Sequence, residues 1–204
     1  LLNVLIVVSS RILVTFSTPA SWDCIATSGT YLRLLDCNLS GQVKLTDSLN
    51  ITGRATNWTT LGAAPQRRLF VSSTHQLTLS QLRLTGGNET EGGAVFLANG
   101  AILWAFACEF VQNTARLNGG SIYALSSTVR LTDTIIIKNQ ANEGGGVFVS
   151  QKQTLTMVGG QLQGNFAADK GGGVVCKGAD CIFRGVSIEH NVAKIKGGGV
   201  WFGL

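Results

Sequence analysis

Carboxylates come first, because glycan-cleaving and Ca²⁺-binding sites both need two or three of them gathered on one face. The 204-residue chain holds 11 Asp and Glu. Glu109, Asp133 and Glu189 stand four, six and two positions before asparagines that recur along the chain, Asn113, Asn139 and Asn191. The equivalent places in other copies hold Val111, Ile135, Gly159 and Gln161, so these acids form no column. Glu91 and Glu143 share the place before a glycine block, but Asn118 stands between them, and Lys170 and Lys196 follow. His190 precedes Asn191 where other copies carry Gln112, Lys138 and Gly164, and His75 lies in the polar run Ser72-Ser73-Thr74-His75. Both read as solvated turn residues. Two isolated histidines give neither a metal centre nor a Ser-His-Asp set, so no catalytic residue, metal ligand or cofactor is expected.

The five cysteines divide unevenly. Cys176 and Cys181 flank the turn Lys177-Gly178-Ala179-Asp180, and Cys24 and Cys37 flank a short opening segment; each pair is a disulfide candidate. Cys108 is left over, in a column with Thr134 and Val186, and reads as a buried thiol acting as a small hydrophobe. No paired spacing suggests zinc.

What positions these residues is a repeat. Asn113, Asn139, Asn165 and Asn191 are 26 residues apart, and glycine blocks follow at Gly119-Gly120, Gly144-Gly145-Gly146, Gly171-Gly172-Gly173 and Gly197-Gly198-Gly199. Asn88, followed by Gly92-Gly93, reads as a degenerate earlier copy. Leucines at leucine-rich-repeat offsets are missing, and no stretch keeps a helical period. Each unit instead carries short runs of alternating apolar residues, such as Gln153-Thr154-Leu155-Thr156-Met157-Val158, the signature of strands. Aligning the units on their asparagines produces apolar columns: Leu103, Val129, Leu155, Cys181; Ala105, Leu131, Met157, Phe183; Phe110, Ile136, Leu162, Ile188. Two more follow the glycines: Val95, Ile122, Val147, Val174, Val200 and Leu97, Ala124, Val149, Cys176, Phe202.

The prediction is an all-β, right-handed parallel β-helix with about 26 residues per coil. Roughly seven coils would make a rod ~34 Å long. Residues 1–84 are expected to hold an N-terminal cap and irregular first coils, and 85–204 the regular repeats. Asn113, Asn139, Asn165 and Asn191 would ladder their amides from coil to coil, satisfying turn backbone that would otherwise be orphaned. The glycine blocks would permit positive φ and close stacking.

Phe110-x-x-Asn113 and Gly92-Gly93-Ala94-Val95 resemble the FxxN and GGA(I/V) repeats of chlamydial polymorphic outer-membrane proteins. Gly29-Thr30-Tyr31 through Gly53 looks like the opening coil of such helices. The other units replace the Phe by Ile136, Leu162 and Ile188, and nothing here looks like the outer-membrane barrel of the chlamydial members. The resemblance implies a β-helix whose role is adhesive or structural.

Composition agrees with this class. Charged residues are 13% of the chain, against roughly 25% in soluble globular proteins, and apolar residues are 45%, which excludes disorder. The net charge of +5 comes from scattered basic residues with Arg67-Arg68 as the only pair, so nucleic acid is not an expected partner. No apolar run approaches the roughly 20 residues of a membrane-spanning helix. Arg11-Ile12-Leu13-Val14-Thr15-Phe16 reads as a strand, the alternative for residues 1–20 being the tail of a signal peptide. The sequence stops inside a repeat, as a fragment of a longer chain would, and an open last coil would present strand edges that invite a partner. Asn38, Asn50, Asn57 and Asn88 begin Asn-x-Ser/Thr sequons and are N-glycosylation candidates. With the candidate disulfides, they favour an extracellular or cell-surface location.

One outward column should carry contact. Phe96, Tyr123, Phe148, Val175 and Trp201 lie between the inward columns on the strand after the glycines, a mostly aromatic ladder expected to be exposed. A threonine-ladder ice-binding face is not expected, because another outward column mixes Trp104, Arg130, Thr156 and Ile182. The expectation is a non-enzymatic structural or adhesive module of a larger surface protein or assembly, its ladder meeting partner proteins, neighbouring subunits or glycans. The alternative is a carbohydrate-active, pectate-lyase-like β-helix enzyme whose catalytic carboxylates lie outside this segment.

Overall fold

A computed structural model describes residues 6–8, 11–13, 29–32, 36–54 and 58–203. Among them are 28 strands and no helix. One coil shows the plan. Ile102–Phe106 belongs to sheet 1, Glu109–Val111 to sheet 2, Thr114–Asn118 to sheet 3 and Ile122–Leu125 to sheet 4. The next coil starts at Thr128–Thr132, which pairs in parallel with Ile102–Phe106 and sets Leu103 against Val129 and Ala105 against Leu131. Sheets 1, 2 and 4 are each seven strands deep, so the stack rises about 29 Å across six strand spacings. The parallel β-helix expected from the repeat is the architecture.

Sheet 3 has only five strands and begins at Asn88–Glu91. The two coils before it are three-sided, with Gly29–Leu32 and Leu49–Thr52 on sheet 1, Cys37–Asn38 and Thr59–Gly62 on sheet 2, and Val43–Lys44 and Phe70–Ser73 on sheet 4. Above them Ile6–Val8 pairs antiparallel with Arg11–Leu13; residues 14–16 of the expected strand lie outside the described residues.

The inward columns form one continuous core. Leu77, Leu103, Val129 and Leu155 are fully buried, as are Phe110, Ile136 and Leu162, and Val95, Ile122, Val147 and Val174. Their alternation with outward residues follows from the two-residue period of a strand. In the last coil Ile188, in register with buried Leu162, and Phe202, in register with buried Cys176, are exposed. Burial of a column residue thus depends on the coils on both sides of it, as in any solenoid.

Corners are set by left-handed backbone. Gln112, Lys138, Gly164 and His190, each just before a ladder asparagine, have φ between 54° and 60°. Beyond them Asn113, Asn139 and Asn165 are buried and fully engaged. The Asn139 side chain donates from Nδ2 to the Phe110 carbonyl at 2.9 Å and to Asn165 Oδ1 at 3.0 Å. Its own Oδ1 accepts from the Asn113 backbone N–H at 2.9 Å and from Asn113 Nδ2 at 3.2 Å. Asn191 closes the series as acceptor for Asn165.

Asn88 does not join this ladder. Gly87 takes its place, its N–H donating to Asn113 Oδ1 at 2.9 Å, while Asn88 pairs with Thr114 on sheet 3 and is exposed. The coil before Asn113 reaches its glycine block one residue sooner, and a register shift between Glu89 and Glu91 absorbs the difference. Within the block the glycines do different things. Gly119 has φ +66°, whereas Gly120 has no space for a side chain: a Cβ there would collide with the Gly145 carbonyl oxygen of the next coil.

Candidate docking face

The aromatic ladder stacks as its spacing implies, but it is not exposed. Phe96, Tyr123 and Phe148 have ring centroids 5.3 and 5.4 Å apart with interplanar angles of 21° and 15°. Tyr123 is 7%, Phe148 5% and Val175 0% exposed, with Phe96 and Trp201 half-buried at the ends. The expectation of an open contact face at Phe96, Tyr123, Phe148, Val175 and Trp201 is therefore corrected: these residues form a second, smaller core outside the coil interior.

Two features close it over. The corner glycines lie against the ladder, so that a Cβ on Gly144 would crowd Phe148 and one on Gly171 would crowd Val175. Sheet 3 then places a polar row above it. Tyr123 hydrogen-bonds to Glu91, Asn118 Nδ2 donates to Glu91 at 3.4 Å, and Lys170 Nζ donates to Glu143 at 3.1 Å while lying 4.8 Å from the Trp201 ring. Arg68, paired with Glu89 at 3.4 Å, lies 4.9 Å from the Phe96 ring. Burial, with Glu91 adding to it, raises the Tyr123 pKa; the Glu143 hydrogen bond raises that of Lys170 above its ordinary value.

The other sequence candidates take structural places. Glu109 pairs with Arg83 at 2.6 Å, and among the described residues no three His, Cys, Asp or Glu gather as metal ligands. Cys176 and Cys181 form a disulfide across their turn, with Cα atoms 6.3 Å apart. Cys37 is also disulfide-bonded, while Cys24 lies outside the described residues. Cys108 is a free, buried thiol whose pKa burial pushes up to about 12, so it is not a nucleophile at neutral pH. Of the sequon asparagines, Asn38, Asn50 and Asn88 are exposed, and Asn57 lies outside the described residues.

A different outward face is open. On sheet 1, Leu103 and Ala105 point into the core, so Trp104 and Phe106 of the same strand point out, 41% and 51% exposed. Successive outward residues on a strand are about 6.8 Å apart, which sets the two rings side by side. In register with Trp104 stand Thr78 above and Arg130 below; in register with Phe106 stand Ser80 and Thr132. The short side chains among them, Thr78, Ser80 and Thr132, leave a shallow groove of about 270 Å³, lined by Thr78, Trp104, Phe106, Arg130 and Thr132. The Arg130 guanidinium lies 5.7 Å from the centre of the Trp104 ring. Set against family models, curated proteins and solved structures, the chain matches none. The groove's geometry must therefore carry the functional reading.

The sequence contained part of this site. Trp104 and Arg130 are visible as members of a mixed outward column, but Phe106 is missed because attention to the repeat favours columns that keep one residue type. Two and three coils below, Val158 and Ile182 in turn add exposed apolar surface on the same sheet. No helix among the described residues is long and apolar enough to cross a membrane.

Proposed function

We propose that the chain is a non-enzymatic structural and adhesive β-helix module of an extracellular or cell-surface protein, and that it holds a partner on the outer face of sheet 1. The observation carrying this reading is the exposed pair Trp104 and Phe106 beside Arg130, on a sheet whose backbone is fixed by neighbours on both sides. Aromatic and arginine side chains on a rigid support are the usual anchors of contact surfaces. Disulfides at Cys37 and Cys176–Cys181 and the exposed sequon asparagines favour an oxidising, extracellular setting. The likeness of the repeat to FxxN and GGA(I/V) units supports the same role.

The test is retention of protein-coated beads on surfaces bearing extracellular-matrix proteins or polysaccharides. Retention that drops at least fivefold in a Trp104→Ser/Phe106→Ser variant with unchanged circular dichroism supports the reading. Absence of retention on every surface sinks the adhesive role, and unchanged retention in the variant removes sheet 1 from it.

A further inference from the structure

We infer that the groove on sheet 1 binds an acidic polysaccharide, with one uronate ring stacked on Trp104 and its carboxylate held by Arg130. This rests on the proposal that sheet 1 is the contact face and names the chemistry of what it contacts.

Charge decides the ligand class. Arg130 is exposed and makes no ion pair with any described residue. Among the outward residues of the described sheet 1 strands, from Gln76 to Arg184, Asp180 is the only carboxylate, two strands beyond the one that carries Arg130, while Arg130 and Arg184 are both basic. Asp133, at the corner beyond Thr132, directs its Oδ1 over Gly159 of the next coil rather than to Arg130. The groove therefore presents one uncompensated cation, and a carboxylate is the partner that its guanidinium matches with two parallel hydrogen bonds.

Shape and lining point to a sugar chain. A stable protein interface buries about 800 Å² on each side around several anchors. Two rings and a groove of about 270 Å³ are small for that and suit a narrow ligand. A pyranose ring offers an apolar C–H face to an indole and hydroxyls at its rim. Trp104 supplies the first surface, Thr78 and Thr132 supply hydroxyl partners on either side, and Phe106 extends the platform along the strand for the next unit. Position reinforces selectivity: Arg130, the register partner of Trp104, holds its guanidinium over one face of the indole, so a sugar stacked on the other face has the charge beside it.

Isothermal titration of the intact protein tests this, with hexamers of galacturonate and of mannuronate, a hyaluronan hexasaccharide, fully methyl-esterified hexagalacturonate and cellohexaose as probes. The expected result is binding of at least one acidic oligosaccharide, weakened tenfold or more in Arg130→Gln and abolished in Trp104→Ser. Methyl esterification of a galacturonate ligand should weaken binding by a similar factor. Cellohexaose should bind weakly and equally to the native protein and Arg130→Gln. No acidic probe binding tighter than about 1 mM overturns the proposal. So does an affinity that Arg130→Gln leaves unchanged. Trp104-dependent bead retention on a protein-coated surface, with no acidic glycan bound, would overturn the ligand class and leave the contact face standing; loss of both would remove both. Both substituted side chains are exposed, so a melting temperature within a degree or two of native separates lost binding from lost fold.

Discussion

Phe148 on sheet 4 and Phe106 on sheet 1 both point away from the coil interior, yet Phe148 is 5% exposed and Phe106 51%. The two strands share the same alternation, the same parallel pairing and similar inward neighbours. What differs lies beside them. Sheet 4 is reached through the glycine corner, which folds against the ladder, and sheet 3 sends Glu91, Asn118, Glu143 and Lys170 over its rings. Sheet 1 is entered from the turns after sheet 4, and among the described residues nothing of comparable length folds back over it. An outward position in a solenoid is thus an opportunity for exposure; the neighbouring arm of the same coil decides whether it is taken.

The comparison breaks most sharply by truncating both rings. Phe148→Ala should cost about 3–5 kcal/mol of unfolding free energy, as for a buried aromatic in a packed core. Phe106→Ala should change stability by less than about 0.5 kcal/mol while weakening retention on the partner surface. Equal losses in urea denaturation would mean that the two faces do not differ in the way described. Unfolding of an array this long can depart from two-state behaviour, so the shift in urea midpoint of each variant from the native protein is the quantity to compare.

Next in size is the ladder that fixes the corner between sheets 2 and 3, on which the cover over Phe148 depends. Asn139→Ala strands the Phe110 carbonyl and the Asn113 backbone N–H, leaves the Asn113 side-chain amide with the Leu84 carbonyl alone, and should cost about 3 kcal/mol, since each buried polar group left unpaired costs ~1–3 kcal/mol. A loss below about 1 kcal/mol would show that water replaces the missing amide.

A smaller effect reads the interior that both faces share. Cys108 has its pKa raised from 9.0 to about 12 by burial, so above pH 9.0 the unfolded thiol ionises while the folded one stays neutral, which favours the unfolded state. The linked stability is intact below pH 9.0 and is lost as pH rises through the folded value of about 12. Cys108→Val, which installs the residue found in the same column at Val186, should flatten the fall in denaturation midpoint between pH 9 and pH 11. An unchanged slope would assign that fall to other groups, Tyr123 and Lys170 among them, whose raised pKa values act in the same direction.

Particular residues show how far the sequence could be read. Leu103, Val129 and Leu155 were assignable to the core because an exact period places equivalent residues one above another, and apolar alternation then says which way they point. Asn139 was assignable to a ladder for the same reason. Asn88 does not fit by one residue: it stands 25 residues before Asn113, and the 26-residue period puts Gly87 in the ladder column, the register shift that shortens this coil coming only between Glu89 and Glu91. The column from Phe96 to Trp201 points outward as alternation implies, with Phe96, Tyr123 and Phe148 stacked, but direction alone does not decide exposure.

The sequence by itself determined the period, the inward columns, the corner asparagines and glycines, and hence the parallel β-helix, because each depends on contacts between residues one coil apart or closer. Tertiary structure alone decided which outward face meets solvent. That choice depends on the polar side chains that sheet 3 lays over sheet 4, and on corner glycines whose missing Cβ atoms permit the approach. It buried Tyr123 and Phe148 and left Trp104, Phe106 and Arg130 open, a division that no periodicity records.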